Sequence, residues 1–130
     1  MSSAQMIQDP RVALSLTISS GTALSSAVDL MGYAPLALMI TNSTWSSAAI
    51  SFVALDPGTS TYLPVYSDTA EVSISSALTK GGAKAFTFRA DYARVLAGYS
   101  FIKVRSGLAA GAVNQAKDVP ITLIVGPLNP

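Results

Sequence analysis

The chain has no histidine and no cysteine, and only 12% of its residues are charged. Without histidine it lacks the side chain best suited to proton transfer near neutral pH and the commonest zinc ligand. Ser-His-Asp and Cys-His nucleophilic sets are therefore impossible. Without cysteine nothing depends on disulfides, thiolates or Cys-bound metal, and either redox compartment is tolerated. The charge content is about half that of an average soluble domain. Eight basic and seven acidic residues are scattered along the chain for a net +1, so no Lys/Arg run forms a nucleic-acid footprint. No window approaches the roughly 18 uninterrupted apolar residues of a membrane helix. The N-terminus has no basic region followed by an apolar core, and so does not read as a signal peptide.

Half of the 130 residues are hydrophobic, which suffices for one domain with a real core. Serine, threonine and alanine must then supply most of the surface. Such a surface suits a protein that spends its life packed against neighbours, since net charge is what keeps free monomers apart.

The dominant period is two, the signature of strands. Val12, Leu14, Leu16 and Ile18 alternate with Ala13, Ser15 and Thr17, and Gly21 ends the run. Similar alternation covers 36–40, 50–55, 72–75, 86–88, 101–105 and 121–125, while 62–66 is short and holds Pro64, which places it at a sheet edge or bulge. Asp56-Pro57-Gly58 supplies strong turn chemistry. Turn signals recur every 8–12 residues or so, as in sandwiches and barrels. One segment departs: Asp91 to Gly98 reads as a single helical turn capped by Asp91 and stopped by Gly98. The expectation is an all-β antiparallel sandwich of about eight or nine strands, with a jelly roll among the topologies open to it. Residues 1–10 read as an N-terminal arm, 11–125 as the sandwich, and 126–130 as a C-terminal tail.

Candidate chemistry is thin, and no enzyme, cofactor or metal site is expected. Ser–Lys catalysis stays formally open, with Lys80, Lys84, Lys103 and Lys117 beside abundant serine. The seven acids fall mostly in turn-like contexts, and no Asp-x-Asp-x-Asp calcium motif occurs. Trp45, after the loop 41–44, reads either as a stacking platform for a sugar or as a plug at one end of the sandwich. In Phe101 to Gly107 (FIKVRSG), Phe101, Lys103 and Arg105 share one face, with Ile102, Val104 and Ser106 on the other. Arg105, Arg89 and Arg94 are candidates for ion pairs with a partner, where the guanidinium fork gives geometric selectivity. A solvated face, or a pair with Asp91, is the alternative.

The order Trp45-x-x-Ala48-Ala49-Ile50-x-Phe52, then Tyr62-Leu63-Pro64-Val65-Tyr66-x-Asp68, then Glu71-Val72 and Phe101-Ile102-Lys103-Val104-Arg105-Ser106-Gly107 resembles small virion proteins of tailed bacteriophages. The likeness spans roughly residues 24–125 and ends in a closing strand at Val119 to Val125. It departs at Ala54-Leu55-Asp56-Pro57-Gly58, where that family more often has Ser-x-Asp-Gly-Gly. The Arg-Ser-Gly tripeptide is also similar to that of discoidin-like sandwiches, which often bind glycans. The phage resemblance implies a structural part of the particle, of decoration or cement type, on the capsid surface and assembled in the host cytoplasm. A neck or tail component and a glycan-binding host-attachment domain are the alternatives. Its implied partners are the major capsid protein or other virion proteins, with neither nucleic acid nor membrane bound. A homo-oligomer, a trimer by guess, matches capsid symmetry. The arm, with Met6 and Ile7, is a candidate to add a strand to a neighbour's open edge.

Overall fold

The structure, a computed structural model, describes residues 11–41, 45–75, 77 and 83–127. The expected all-β sandwich is what these residues form. Ten strands and one short helix follow in chain order: β1 (Val12–Ile18), β2 (Val28–Asp29), β3 (Ala34–Ile40), β4 (Ile50–Asp56), β5 (Thr61–Pro64), β6 (Ser73–Ile74), β7 (Lys84–Thr87), α1 (Ala90–Leu96), β8 (Phe101–Leu108), β9 (Gly111–Ala112) and β10 (Val119–Gly126). One sheet has the order β1-β10-β3-β7 and the other β2-β8-β4-β5, with β6 also pairing β4 and β9 pairing β8. All these pairings are antiparallel.

The period-two pattern decides which face each side chain takes. From the first sheet Leu16, Ile18, Leu38, Ile40, Ile121 and Leu123 point inward and are buried; from the second, Ile50, Phe52, Ile102 and Val104 meet them. Fully burying a side chain of this size contributes about 1.5–3 kcal/mol. The rings of Phe52 and Phe88 lie 5.4 Å apart at 41°, a tilted contact across the core.

β4 is buried on both faces over its first five residues. The cause is the long polar side chains on the outside of its sheet. Lys103 on β8 reaches the ring of Tyr62 on β5, its ammonium 4.4 Å from the ring centroid. Since β4 lies between β8 and β5, the lysine stem crosses above Val53, the residue paired with Lys103. A charged side chain here covers apolar surface with its hydrocarbon portion.

Pro64 sits on the edge strand β5, as its missing donor requires. Pro35 lies inside the central strand β3, where the β10 register shifts between Ile124 and Val125 and β7 pairing begins only at Ala37. The helix differs in detail from expectation. Arg89 is its N-cap residue, extended and without a side-chain cap bond, and Asp91 falls in the first turn. There its negative charge meets the positive end of the helix dipole.

Candidate interaction surface

At the far end of β8, Arg105, Ser106 and Gly107 gather residues that are far apart in sequence. Arg105 points to the outer face of its sheet, opposite Ser51 on β4. Its Nε donates to Ser51 Oγ at 2.9 Å, and a terminal nitrogen donates to Glu71 Oε2 at 2.8 Å. The same carboxylate oxygen accepts the Ala109 backbone N–H at 2.9 Å, which ties the β8–β9 turn to the pair. Ser51 Oγ in turn donates to the Gly107 carbonyl at 2.6 Å. Arg105 and Glu71 keep only 10% and 15% of their side-chain surface exposed.

On the inner face, Ser106 is fully buried with Gln115. Gln115 Nε2 donates to Ser106 Oγ and to the Ser46 carbonyl, while its Oε1 accepts the Ser46 N–H. The backbone is held from three sides: Ser106 N–H donates to Ala23, Gly107 N–H to Ala49, and Val113 N–H to Ser106. Gly107 adopts φ +93°, in the left-handed half of conformational space. The Arg-Ser-Gly tripeptide is thus one outward anchor, one inward anchor and one turn that only glycine tolerates.

Two candidate partner residues move from surface to interior as a result. Arg105 pairs with Glu71, 34 residues earlier, and not with Asp91. Trp45 is 3% exposed beside buried Ala48 and Ala49, so it offers no ring face to a sugar. Its indole N–H finds no acceptor among the described residues. Arg89 and Arg94 are exposed. Arg89 grips Asp91 through two hydrogen bonds of 3.1 and 2.9 Å and stacks on Tyr92, while Arg94 sits in the last turn of α1. Arg89→Ala should shift the free energy of unfolding in a urea titration by under about 1 kcal/mol, because exposed pairs are screened. Met6 and Ile7 lie outside the described residues, as does Lys80.

Sequence also holds a Ser-x-x-Lys spacing at Ser100 and Lys103. It falls where β8 begins, and not on a helix, so the two side chains share no face. The Lys103 ammonium is held over Tyr62. Among the described residues no three acidic groups come together to hold a metal.

Part of what the fold leaves exposed is apolar. At the first end of β8, Leu55, Pro57, Leu63, Pro64 and Tyr99 line an open cleft of about 430 Å³. Leu63 and Tyr99 are exposed, and so is Phe101 on the neighbouring strand position. Asp56 also lines this cleft, but its carboxylate is spent on the β4–β5 turn, accepting from Gly58 N–H and Thr59 Oγ. At the other end, Ala48, Ala49, Leu108, Ala110 and Val113 line a second cleft of about 320 Å³. An eight-residue strand separates the two clefts by roughly 25 Å.

No family model matches this chain. No curated protein is similar to it. Among solved structures, the crystal structure of the SPBc2 prophage-derived protein YomS is similar over 92% of this chain and 96% of that one, with 16% identity and a TM-score of 0.48. At that identity no residue role passes from one protein to the other.

Neither cleft was visible in the sequence. Leu63, Leu108 and Val113 occupy ordinary strand or turn positions, and only the pairing of β4 with β5 and β8 gathers them.

Proposed function

We propose that this chain is a structural protein of a tailed-phage particle, of the decoration or cement type, which binds the assembled head and stabilises it. The observation that carries the reading is the pair of clefts at opposite ends of β8, the first of mixed polarity and the second apolar. A module with one contact site at each end can span a junction between two shell subunits. The internal satisfaction of Arg105, Glu71, Ser51 and Gln115 supports the same reading, because it leaves this polar set to the fold and not to chemistry. The sequence resemblance to virion proteins runs through Glu71 and Arg105 of this set.

The strand order also favours a jelly roll. Apart from the runs β4-β5-β6 and β8-β9, successive strands switch sheets, and β1-β10-β3-β7 faces β2-β8-β4-β5, interleaving early and late strands as in the double Greek key of many capsid domains. That support is analogy at the level of fold. The mechanism is mass action: a protein that binds only the expanded shell stabilises that shell over its alternatives. The protein acts without a cofactor, on the virion surface, with the major capsid protein as its partner.

Mixing the purified protein with emptied, expanded heads should give saturable co-sedimentation at a fixed ratio to shell subunits. Leu63→Asp and Leu108→Asp, both at exposed positions, should each weaken retention roughly tenfold or more, since a buried carboxylate is poorly tolerated in an apolar contact. Absence of saturable head binding ends the cement reading. Binding confined to neck or tail fractions would reassign the protein there, and tyrosine-dependent capture on a glycan array would make it a host-attachment domain.

A further inference from the structure

The two sheets have four edges, and three of them carry a device that discourages pairing with foreign strands. β2 is only two residues long, β5 ends in Pro64, and β7 begins with Lys84. Short strands, proline and lysine are the usual protections of an edge. β1 has none. It is seven residues long, VALSLTI, without charge, proline or glycine.

The free side of β1 can be read from one hydrogen bond. The Thr17 carbonyl accepts from Ser26 N–H at 3.3 Å, on the side away from β10. Backbone groups alternate sides along a strand, so the N–H and C=O of Ala13 and Ser15 point the same way as those of Thr17. Residues 24–26 cover the strand only near Ile18, through the Ile18–Ser25 bridge. Among the described residues no strand lies beyond Ala13 and Ser15. Val12 and Leu14 point toward the core, yet both stay half-exposed, whereas Leu16 and Ile18 further along are buried. Among the described residues the edge therefore lacks both backbone partners and an apolar cover at one place.

We infer that β1 pairs antiparallel with β1 of a second copy, joining two four-stranded sheets across a two-fold axis. The register follows from the direction of the backbone groups. Ala13 pairs with Ser15 of the partner subunit and Ser15 with the partner's Ala13, each exchanging both hydrogen bonds. Leu14 then faces the partner's Leu14 on the axis, and Val12 faces the partner's Leu16. A second β1 fits because it brings unsatisfied groups at the same spacing, apolar side chains on the same face, and no charge to repel. Two-fold closure uses both open edges at once and leaves none exposed. The symmetry is two-fold, where the sequence suggested three-fold.

Sedimentation equilibrium on the full chain should show a concentration-dependent dimer, with the Ala13 and Ser15 amides protected from hydrogen exchange. Ser15→Pro removes the edge-side donor at an exposed position and should lower the association constant roughly 30-fold, through two hydrogen bonds lost per dimer. Circular dichroism of that variant should match wild type, as proline is accepted where an edge N–H meets solvent. A charge swap tests the register with no reliance on proline. Leu14→Lys alone should be monomeric, as should Leu14→Glu alone, and an equimolar mixture should recover the dimer. A wild-type monomer at all concentrations, rapid exchange of both amides in an existing dimer, or a mixture that stays monomeric would each overturn the proposal. None of these readouts involves the head, so this inference and the cement reading fail separately.

Discussion

Gly107→Ala should destabilise the protein by on the order of 3–5 kcal/mol, a large part of the stability of any domain this size. A β-carbon at this position would lie 2.5 Å from the Gly111 carbonyl oxygen, 2.7 Å from the Val113 nitrogen and 2.9 Å from the Ala112 Cα. All three are backbone atoms, so no side-chain rotation relieves the clash. The left-handed φ of +93° adds strain of its own for any residue with a Cβ. Relief requires β9 to move away from β8, which breaks the Val113–Ser106 backbone bond. Urea unfolding of three alanine variants separates the contributions. Gly111→Ala meets nothing within 4 Å and has no positive φ, so it should stay within about 0.5 kcal/mol of wild type. Gly21→Ala has open space but φ +78°, and should cost about 1 kcal/mol from backbone strain alone. Gly107→Ala combines strain with collision. If it unfolded at the same urea concentration as Gly21→Ala, the close approach of β9 would be wrong.

These contrasts also show what could be read from sequence. The alternation of Phe101 to Ser106 correctly divides β8 into an outer face with Lys103 and Arg105 and an inner face with Ile102 and Val104, because period two is a local property of a strand. The partner of Arg105 is not local. Glu71 sits beyond β4 in a turn, and only the β8-β4 pairing together with the Tyr66–Glu71 bridge brings it across. Gln115 lies in a polar stretch that reads as solvent loop, yet it is buried because its backbone is pinned to Thr22 and Gly21 while its amide fills the space under Ser106. β2 and β9 are two residues each, too short for any period to register. Trp45 reads from sequence either as a sugar platform or as a plug at one end of the sandwich, and the structure gives the plug, with Ala48, Ala49 and Ile50 after it all buried as well. Composition foreshadowed a weakly charged exterior, although not where its exposed apolar residues gather.

Glu71→Gln should cost about 3–5 kcal/mol, comparable to a core truncation and far above the screened Arg89–Asp91 pair, whose side chains are 66% and 56% exposed. The difference lies in what is left behind. With Glu71 neutral, Arg105 keeps a full charge that is nine-tenths buried on a sheet face, received only by the Ser51 hydroxyl and a neutral amide oxygen. A buried charge without its counter-ion is among the most destabilising features a fold can carry. Glutamine still accepts the Ala109 N–H, so the loss reports on the charge and not on the turn. The reverse change, Arg105→Met, strands a carboxylate that is itself 15% exposed and still bonded to Ala109, and should cost less, about 2–3 kcal/mol. The double variant Glu71→Gln with Arg105→Met removes both charges, and should recover at least half of the summed loss, since an apolar replacement of a buried pair is often near neutral. A coupling energy of about 2 kcal/mol or more in that cycle, changed little by 1 M salt, is the expected outcome. Additive single variants, or a coupling that vanishes with salt, would mean that solvent reaches the pair and that the end of β8 is held by its backbone bonds and Gly107 alone.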